Sequence, residues 1–174
     1  MDPTLERARA VRVMIFDVDG VLTDGRLYYN DAGEEMKAFS TVDGQGIRML
    51  KESGVEIAIL TARRSELVAH RARNLGIAHV IQGAHDKRVA FLDLAASLGV
   101  DARACGYMGD DVVDLPVLTR CGFAATTCEA PEIIRRRVHF IASQPAGAGA
   151  VREVCESLLR AQGTLDAALA PYLA

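Results

Sequence analysis

The sequence contains no tryptophan, and aromatic residues make up only 5% of its 174 residues. Proteins that stack nucleic-acid bases depend on such side chains. A basic excess is also missing, because 20 Lys and Arg residues are balanced by 23 Asp and Glu residues, for a net charge of −3. Proteins that bind the phosphate backbone carry positive charge instead. We therefore expect no nucleic-acid partner.

Long apolar runs are absent as well. No stretch approaches the ~20 apolar residues of a membrane span, and residues 1–13 lack the features of a signal peptide. The four cysteines, Cys105, Cys121, Cys128 and Cys155, form no C-x-x-C pair and have no histidine at zinc-ligand spacing. We expect reduced thiols, a cytoplasmic location and no membrane partner.

The composition is that of a globular domain, since half of the residues are hydrophobic and a quarter are charged. A chain of 174 residues can form one domain with its own core but not two. Short apolar runs alternate with amphipathic stretches, which is typical of a parallel sheet covered by helices on both faces. The sequence predicts a single domain over residues 1–174 with an α/β, Rossmann-like fold.

Individual elements can be assigned from the same alternation. Strands are predicted at residues 11–16, 55–60, 79–81, 104–108 and 122–125. Helices are predicted at residues 46–52, 65–75, 87–98, 112–119, 131–136 and 148–162. Gly54, Gly76 and Gly99 follow helical stretches and indicate left-handed C-terminal caps. Residues 26–39 hold two β-prone runs around a turn cluster and predict a hairpin. Residues 163–174 form a weakly helical tail, either disordered or docked on a partner subunit.

Two carboxylates follow the first predicted strand, Asp17 and Asp19 in the segment DVDGVLTD. Ligands of open α/β sheets bind at the carboxyl ends of the strands. Neighbouring carboxylates repel each other, and a Mg²⁺ ion with oxygen ligands relieves this repulsion. Gly20 permits a sharp turn whose backbone amides can face an anion. The alternative is a strand end with an ordinary Asp-Gly turn.

A second acidic segment, GDDVVD at residues 109–114, follows the fourth predicted strand. Asp110 beside the first pair would complete a divalent-cation site, whereas Asp111 also suits a helix N-cap. Thr61 ends another strand, where a hydroxyl and free amides can hold phosphate oxygens. Lys87 opens a helix and offers a charge for a phosphate or a carboxylate. Taken singly, a threonine or a lysine at such a position is commonplace.

In this order, DVDGVLTD, Thr61, Lys87 and GDDVVD resemble the four motifs of the haloacid dehalogenase (HAD) phosphatase superfamily. Within it, the chain resembles the phosphatases of 3-deoxy-D-manno-octulosonate 8-phosphate (KDO 8-phosphate), which act in lipopolysaccharide precursor synthesis. This resemblance covers nearly the whole chain. It is carried by the hairpin and by AFSTVDGQGIRML, LTARRSELVAHRARNLGI, GYMGDDVVDLPVL and GAVREVCESLLRAQGTLDAA.

The resemblance implies a Mg²⁺-dependent phosphatase. Asp17 would be the nucleophile that forms an aspartyl-phosphate, and Asp19 would act first as an acid and then as a base. Mg²⁺ would be held by Asp17, the backbone carbonyl of Asp19 and Asp110. The further residues implied are Thr61 and Lys87 for the phosphate and Asp111 and Asp114 in support. The residues implied for the sugar acid phosphate are Asp19, Ser40, Thr41, Val42, Asp43, Gly44, Arg48, Arg63, Arg71 and Lys87.

The chain departs from the family pattern at three places. Ala62 stands where glycine is common, Val42 stands near a usual arginine, and Ala146-Gly147-Ala148-Gly149 replaces Gly-Gly-Arg-Gly. A phosphatase of a nine-carbon sialic-type sugar acid 9-phosphate is therefore an alternative. That subgroup tends to have Glu at the position of Arg63, so the arginine favours the eight-carbon substrate.

No segment between Thr61 and Asp110 is long enough for a cap domain, so a neighbouring subunit must cover the site. The resemblance implies a homotetramer. A receiver-like domain that accepts phosphate from a kinase is an alternative of another class, but it would not need Asp19 as an acid for a sugar leaving group. An inactive scaffold and a phosphomutase are less favoured, because the catalytic groups are intact and a cap is missing.

Overall fold

A computed structural model describes residues 3–173 of the chain. Its strands are β1 (Val13–Phe16), β2 (Tyr28–Tyr29), β3 (Glu35–Met36), β4 (Glu56–Thr61), β5 (His79–Gln82), β6 (Cys105–Met108), β7 (Phe123–Thr127) and β8 (Phe140–Ala142). Its α-helices are α1 (Pro3–Arg9), α2 (Thr41–Glu52), α3 (Glu66–Leu75), α4 (Lys87–Ser97), α5 (Leu115–Leu118), α6 (Glu132–Arg135), α7 (Ala150–Gln162) and α8 (Leu165–Leu169). Short 3-10 helices span Ala102–Ala104, Val112–Asp114 and Ala170–Tyr172.

Six strands form one parallel sheet in the order β5-β4-β1-β6-β7-β8, and β2 and β3 form a separate antiparallel hairpin. The central strand β1 is buried along its whole length, which explains its uninterrupted apolar sequence. Its last residue, Phe16, lies opposite Ile59 of β4 and Met108 of β6. The α/β sheet, the hairpin and the lack of a cap domain within residues 3–173 are as predicted.

The sheet separates two apolar cores. Met14 and Phe16 of β1 face the core that α2 and α7 cover, whereas Val13 and Ile15 face the core beneath α4 and α5. This division follows from the two-residue period of a strand, which sends alternate side chains to opposite faces. Helices on both faces therefore leave the carboxyl edge of the sheet open for a site.

Several element boundaries differ from the sequence prediction. The helix α2 begins at Thr41, five residues earlier than predicted, because Ser40 caps it although Gly44 and Gly46 weaken the helical pattern. The predicted helix over 112–119 is a 3-10 turn followed by α5, which has a proline in its first turn. The elements α1 and β8 were missed because both are short and only partly buried.

The C-terminal tail, from residue 163 to residue 173, is ordered and packs against the rest of its own chain. Leu165, Ala168 and Leu169 pack against the α2–α7 core, so the alternative of a disordered tail is wrong for these residues. Residue 174 lies outside the described part.

The four cysteines are free thiols. Within residues 3–173, no helix is both long enough and apolar enough to span a bilayer.

Candidate active site

Asp17 lies directly after β1, at the carboxyl edge of the sheet. Its backbone N–H donates to the carbonyl of Met108 at 3.0 Å, and its Oδ1 accepts from the N–H of Val18 at 2.7 Å. The residue is only 6% exposed. The pKa of Asp17 is raised to about 6, mainly by burial, with Asp114 adding to the shift and Lys87 opposing it. The carboxylate is fixed in position and needs a cation.

Lys87, the first residue of α4, is one such cation. Its Nζ donates to Asp17 Oδ2 at 2.7 Å and to Asp114 Oδ1 at 2.6 Å. Burial alone would lower the pKa of Lys87, but the two carboxylates outweigh burial and raise it. Asp86 caps α4 by accepting from the N–H of Val89, which fixes where the helix begins. Lys87 is therefore a buried, charged group held against Asp17.

Asp114 is fully buried and joins Lys87 to the second acidic segment. Its Oδ1 also accepts from the Tyr107 hydroxyl at 2.6 Å, and its Oδ2 accepts from the N–H groups of Asp110 and Asp111 at 3.0 and 3.2 Å. Burial raises the pKa of Tyr107, so its hydroxyl remains a donor. Sequence reasoning missed Tyr107, although a tyrosine in a buried strand usually needs a polar partner.

Asp110 completes a cluster of carboxylates. Oxygen atoms of Asp17, Asp110 and Asp114 lie within 4.8 Å of one another. Burial raises the pKa of Asp110 to about 7, with Asp114 and Asp17 adding to the effect. Since Asp114 is occupied by Lys87, Tyr107 and two amides, Asp17 and Asp110 are the carboxylates left for a metal. Oxygen ligands and uncompensated negative charge fit Mg²⁺.

Gly20 makes room for Asp110. Its backbone has φ +84°, in the left-handed region that favours glycine, and a Cβ atom there would lie 2.1 Å from Asp110 Oδ2. The sharp turn predicted after Asp19 is present, and it brings the backbone of the first acidic segment against the second.

Asp19 is half-buried at the other side of this turn. Its Oδ1 accepts from Nζ of Lys37, and its Oδ2 lies 3.8 Å from a guanidinium nitrogen of Arg63. A second nitrogen of Arg63 lies 2.7 Å from Oε1 of Glu35. Lys37 and Glu35 belong to the hairpin and were missed by sequence reasoning. Nothing in the hairpin sequence distinguishes a buried lysine from an exposed one.

A cleft of about 260 Å³ opens over these residues. It is lined by Asp17, Asp19, Gly25, Thr61, Ala62, Arg63, Lys87, Asp110, Asp111 and Val113. Thr61 reaches it from the end of β4. Asp111 accepts from the N–H of Val112 at 2.7 Å and shares a capping box with Asp114, as its alternative N-cap role predicts. Residues from all four motifs therefore line the same cleft.

Comparison with known proteins identifies the family. No model of a known protein family matches the chain. The 3-deoxy-D-manno-octulosonate 8-phosphate phosphatase KdsC of Yersinia pestis is 42% identical over 167 residues, which cover 96% of this chain and 89% of that protein. The chain belongs to the KdsC family.

Solved structures agree with this assignment. A 3-deoxy-D-manno-octulosonate 8-phosphate phosphatase from Moraxella catarrhalis, in complex with magnesium ion, phosphate ion and KDO, is 41% identical with a TM-score of 0.96 and 99% coverage of both chains. A probable YrbI family phosphatase from Pseudomonas syringae pv. phaseolica is 45% identical with a TM-score of 0.97, covering 100% of this chain and 99% of that one. The resemblance drawn from the sequence motifs is confirmed.

The other positions that the KdsC family pattern suggested for the substrate do not line the cleft, and they lie at the residue before α2, on α2 and, for Arg71, on α3. Ser40 caps α2 by accepting from the N–H of Asp43 at 3.2 Å, and its carbonyl accepts from Arg71 at 2.8 Å. The Arg71 guanidinium lies over the ring of Phe39, 5.8 Å from its centre. A Cβ atom at Gly44 would lie 2.3 Å from Arg71.

Asp43 ties α2 to α7. Its carboxylate accepts from the N–H groups of Arg152 and Gly149 at 2.9 and 3.3 Å, and burial raises its pKa while these bonds oppose the shift. The side chains of Thr41, Val42 and Arg48 are exposed. Ser40, Asp43 and Arg71 therefore stabilise the start of α2, and the role of the whole group in binding the sugar acid stays a prediction.

Proposed function

We propose that the protein is a Mg²⁺-dependent phosphoric monoester hydrolase that converts KDO 8-phosphate to KDO and phosphate in lipopolysaccharide precursor synthesis. The decisive observation is the buried Asp17–Lys87 pair beside Asp110, at the carboxyl edge of a sheet whose chain belongs to the KdsC family. The relatives are named for the eight-carbon substrate, so neither the nine-carbon nor the receiver-like alternative is favoured.

In the first step, a carboxylate oxygen of Asp17 attacks phosphorus, and the bond from phosphorus to the sugar oxygen breaks. Asp19 gives its proton to the departing oxygen. In the second step, water attacks the aspartyl-phosphate, its proton passes to Asp19, and the bond from phosphorus to Asp17 breaks. The net products are the free sugar acid and inorganic phosphate, with both carboxyl groups restored.

Lys87 orients Asp17 and offers positive charge to the phosphate. Thr61, the last residue of β4, is the other residue proposed to bind the phosphate. Asp17, the backbone carbonyl of Asp19 and Asp110 would hold Mg²⁺, which would supply positive charge to stabilise the transferring phosphoryl group. Arg63 at the cleft mouth is suited to the carboxylate of the sugar acid. Ser40–Gly44, Arg48 and Arg71 are the further substrate-binding candidates, and Asp111 and Asp114 hold the metal-binding loop.

We further propose a cytoplasmic homotetramer. Four large side chains of the hairpin, Leu27, Tyr28, Tyr29 and Met36, are between 39% and 58% exposed. The hairpin also presents a two-stranded sheet with free edges. Association of hairpins would bury this apolar surface and bring a neighbouring subunit toward the open cleft.

The activity is tested by measuring phosphate release from KDO 8-phosphate and from a nine-carbon sugar acid 9-phosphate, with and without Mg²⁺. We expect Mg²⁺-dependent release from the eight-carbon substrate. Asp17→Asn should lower the rate by about a thousandfold or more, because an amide is a poor nucleophile and a poor metal ligand. Asp93→Asn, an exposed site on α4, is the matched control. A folded Asp17→Asn protein with near-normal turnover would refute the covalent mechanism.

A further inference from the structure

Asp17 and Asp19 of the first acidic segment each have a lysine partner. Lys87 binds Asp17, and Lys37, which directly follows β3, contacts Oδ1 of Asp19. The side chain of Lys37 is only 2% exposed, and its Nζ also lies 3.5 Å from Glu35 Oε1. Lysine is rarely so buried unless it is paired. Lys37 is therefore an enclosed charge directed at Asp19, not a solvated surface group.

Asp19 accepts a hydrogen bond at one carboxylate oxygen and faces a guanidinium group at the other. Lys37 occupies Oδ1, while Arg63 lies 3.8 Å from Oδ2 and is itself paired with Glu35 at 2.7 Å. The hairpin and the segment after β4 thus meet at this one carboxyl group. The closer contact, at Oδ1, fixes the orientation of the carboxyl group, whereas Oδ2 makes only the longer contact.

We propose that Lys37 is a positioning residue for Asp19, holding its carboxyl group in the orientation needed to protonate the leaving oxygen. This inference rests on the proposed function, in which Asp19 is the acid. Proton transfer requires hydrogen-bond geometry between the acid and the reacting oxygen. A carboxyl group free to rotate would spend little time in that geometry.

The experiment uses two aryl phosphates that lack any sugar acid, with the Mg²⁺-loaded protein. The para-nitrophenolate of para-nitrophenyl phosphate departs without a proton, whereas the more basic phenolate of phenyl phosphate depends on an acid. The parameter kcat/KM covers the steps up to departure of the leaving group. Lys37→Met should lower kcat/KM for phenyl phosphate by about ten- to a hundredfold and that for para-nitrophenyl phosphate by less than about threefold.

Two further lysine variants serve as controls. Lys51→Met makes the same substitution on α2, where Nζ contacts the carbonyl of Gly76, and should leave both substrates unaffected. Lys37→Arg keeps the charge and should recover part of the loss on phenyl phosphate. If Lys37→Met prevents folding, Lys37→Gln keeps a polar side chain and gives the same comparison. Equal losses on both substrates in a folded Lys37 variant would overturn the inference.

An Asp19→Asn background separates this inference from the proposed mechanism. If Lys37 acts through Asp19, Lys37→Met should change kcat/KM by less than about twofold in that background. A full additional loss would show that Lys37 acts independently and would overturn the inference. If Asp19→Asn itself affects both aryl phosphates equally, the acid role of Asp19 fails, and the positioning role of Lys37 fails with it.

Discussion

The site gathers more negative than positive charge around Asp17. Three carboxylates, Asp17, Asp110 and Asp114, share the single ammonium of Lys87. The imbalance, together with burial, explains why the pKa of Asp17 is about 6 and that of Asp110 about 7. A divalent cation between the first two would remove the imbalance, which is the physical reason for expecting the protein to be more stable with Mg²⁺.

This charge imbalance predicts a pH-dependent stability. A carboxyl group whose pKa is raised in the folded state binds protons that the unfolded chain releases. The free energy of unfolding of the metal-free protein should therefore fall as the pH rises from about 4 to about 7. Mg²⁺ should raise the melting temperature more at about pH 8 than at about pH 5, because protons compete with the metal. Thermal unfolding with and without Mg²⁺ measures both effects.

Asp110→Asn isolates the contribution of that carboxylate. The variant should show a flatter pH dependence without metal and lose most of the Mg²⁺-induced rise, whereas Asp93→Asn should behave as the unmodified protein. A rise in melting temperature that is equal at both pH values, or retained in Asp110→Asn, would contradict the proposed metal site.

Arg63 carries a prediction about specificity. A charge-assisted contact between its guanidinium and a substrate carboxylate is worth about 1.5–3 kcal/mol. Arg63→Ala should therefore lower kcat/KM for KDO 8-phosphate about ten- to a hundredfold. Hydrolysis of para-nitrophenyl phosphate, which has no carboxylate, should be nearly unchanged. Arg64→Ala alters an exposed neighbour that does not line the cleft and provides the control.

Equal losses on the two substrates would lead to a different conclusion about Arg63. Because Arg63 is paired with Glu35 of the hairpin, such a result would mean that it supports the fold of the site and not the sugar acid. Arg71 and Arg48 would then be the next candidates for the carboxylate.

At the scale of elements, the hairpin is held in place by its charges. Its strands are two residues long, and an isolated hairpin of this size has marginal stability in water. Glu35 and Lys37 join it to Arg63 and Asp19. The same contacts that complete the site therefore also fix the hairpin against the sheet.

The pairing of α2 with α7 depends on Gly46. A Cβ atom at this position would lie 2.9 Å from Cα and 2.8 Å from Cδ of Arg152 on α7. Alanine is the better helix former by about 1 kcal/mol, but overpacking costs about 1–3 kcal/mol. Gly46→Ala should therefore lower the free energy of unfolding, as measured by urea denaturation.

Asn74→Ala on the exposed side of α3 gives the comparison, because it alters helix propensity without a close contact. It should be neutral or slightly stabilising. A Gly46→Ala protein as stable as this control would show that the two helices can separate at little cost.

For the whole molecule, the prediction is a homotetramer. Light scattering should give about four times the chain mass of 18.7 kDa. Tyr29→Asp places a charge on a hairpin side chain that is 56% exposed in the single chain, and it should yield smaller species with lower activity. Asp31→Asn changes the charge at the hairpin turn and should leave assembly intact. A stable monomer with full activity at dilution would contradict the proposed assembly.

The sequence by itself determined the fold class and the central site. Apolar runs bounded by Asp17, Thr61 and Asp110 predict parallel strands whose carboxyl ends meet at one edge, and the structure places all three residues at one cleft. Lys87 was equally predictable because it opens a helix at the same edge. These residues have local signals, since each stands where a strand ends or a helix begins.

Only the tertiary structure decided which polar residues are buried against those carboxylates. Lys37 and Tyr107 lie on elements that are distant in sequence from Asp19 and Lys87, and their contacts arise when the hairpin folds back and β6 pairs beside β1. The sequence pattern around Lys37 is the same whether its ammonium faces water or a carboxylate. Burial of a charge depends on packing between elements, and that packing has no period or spacing along the chain from which it could be read.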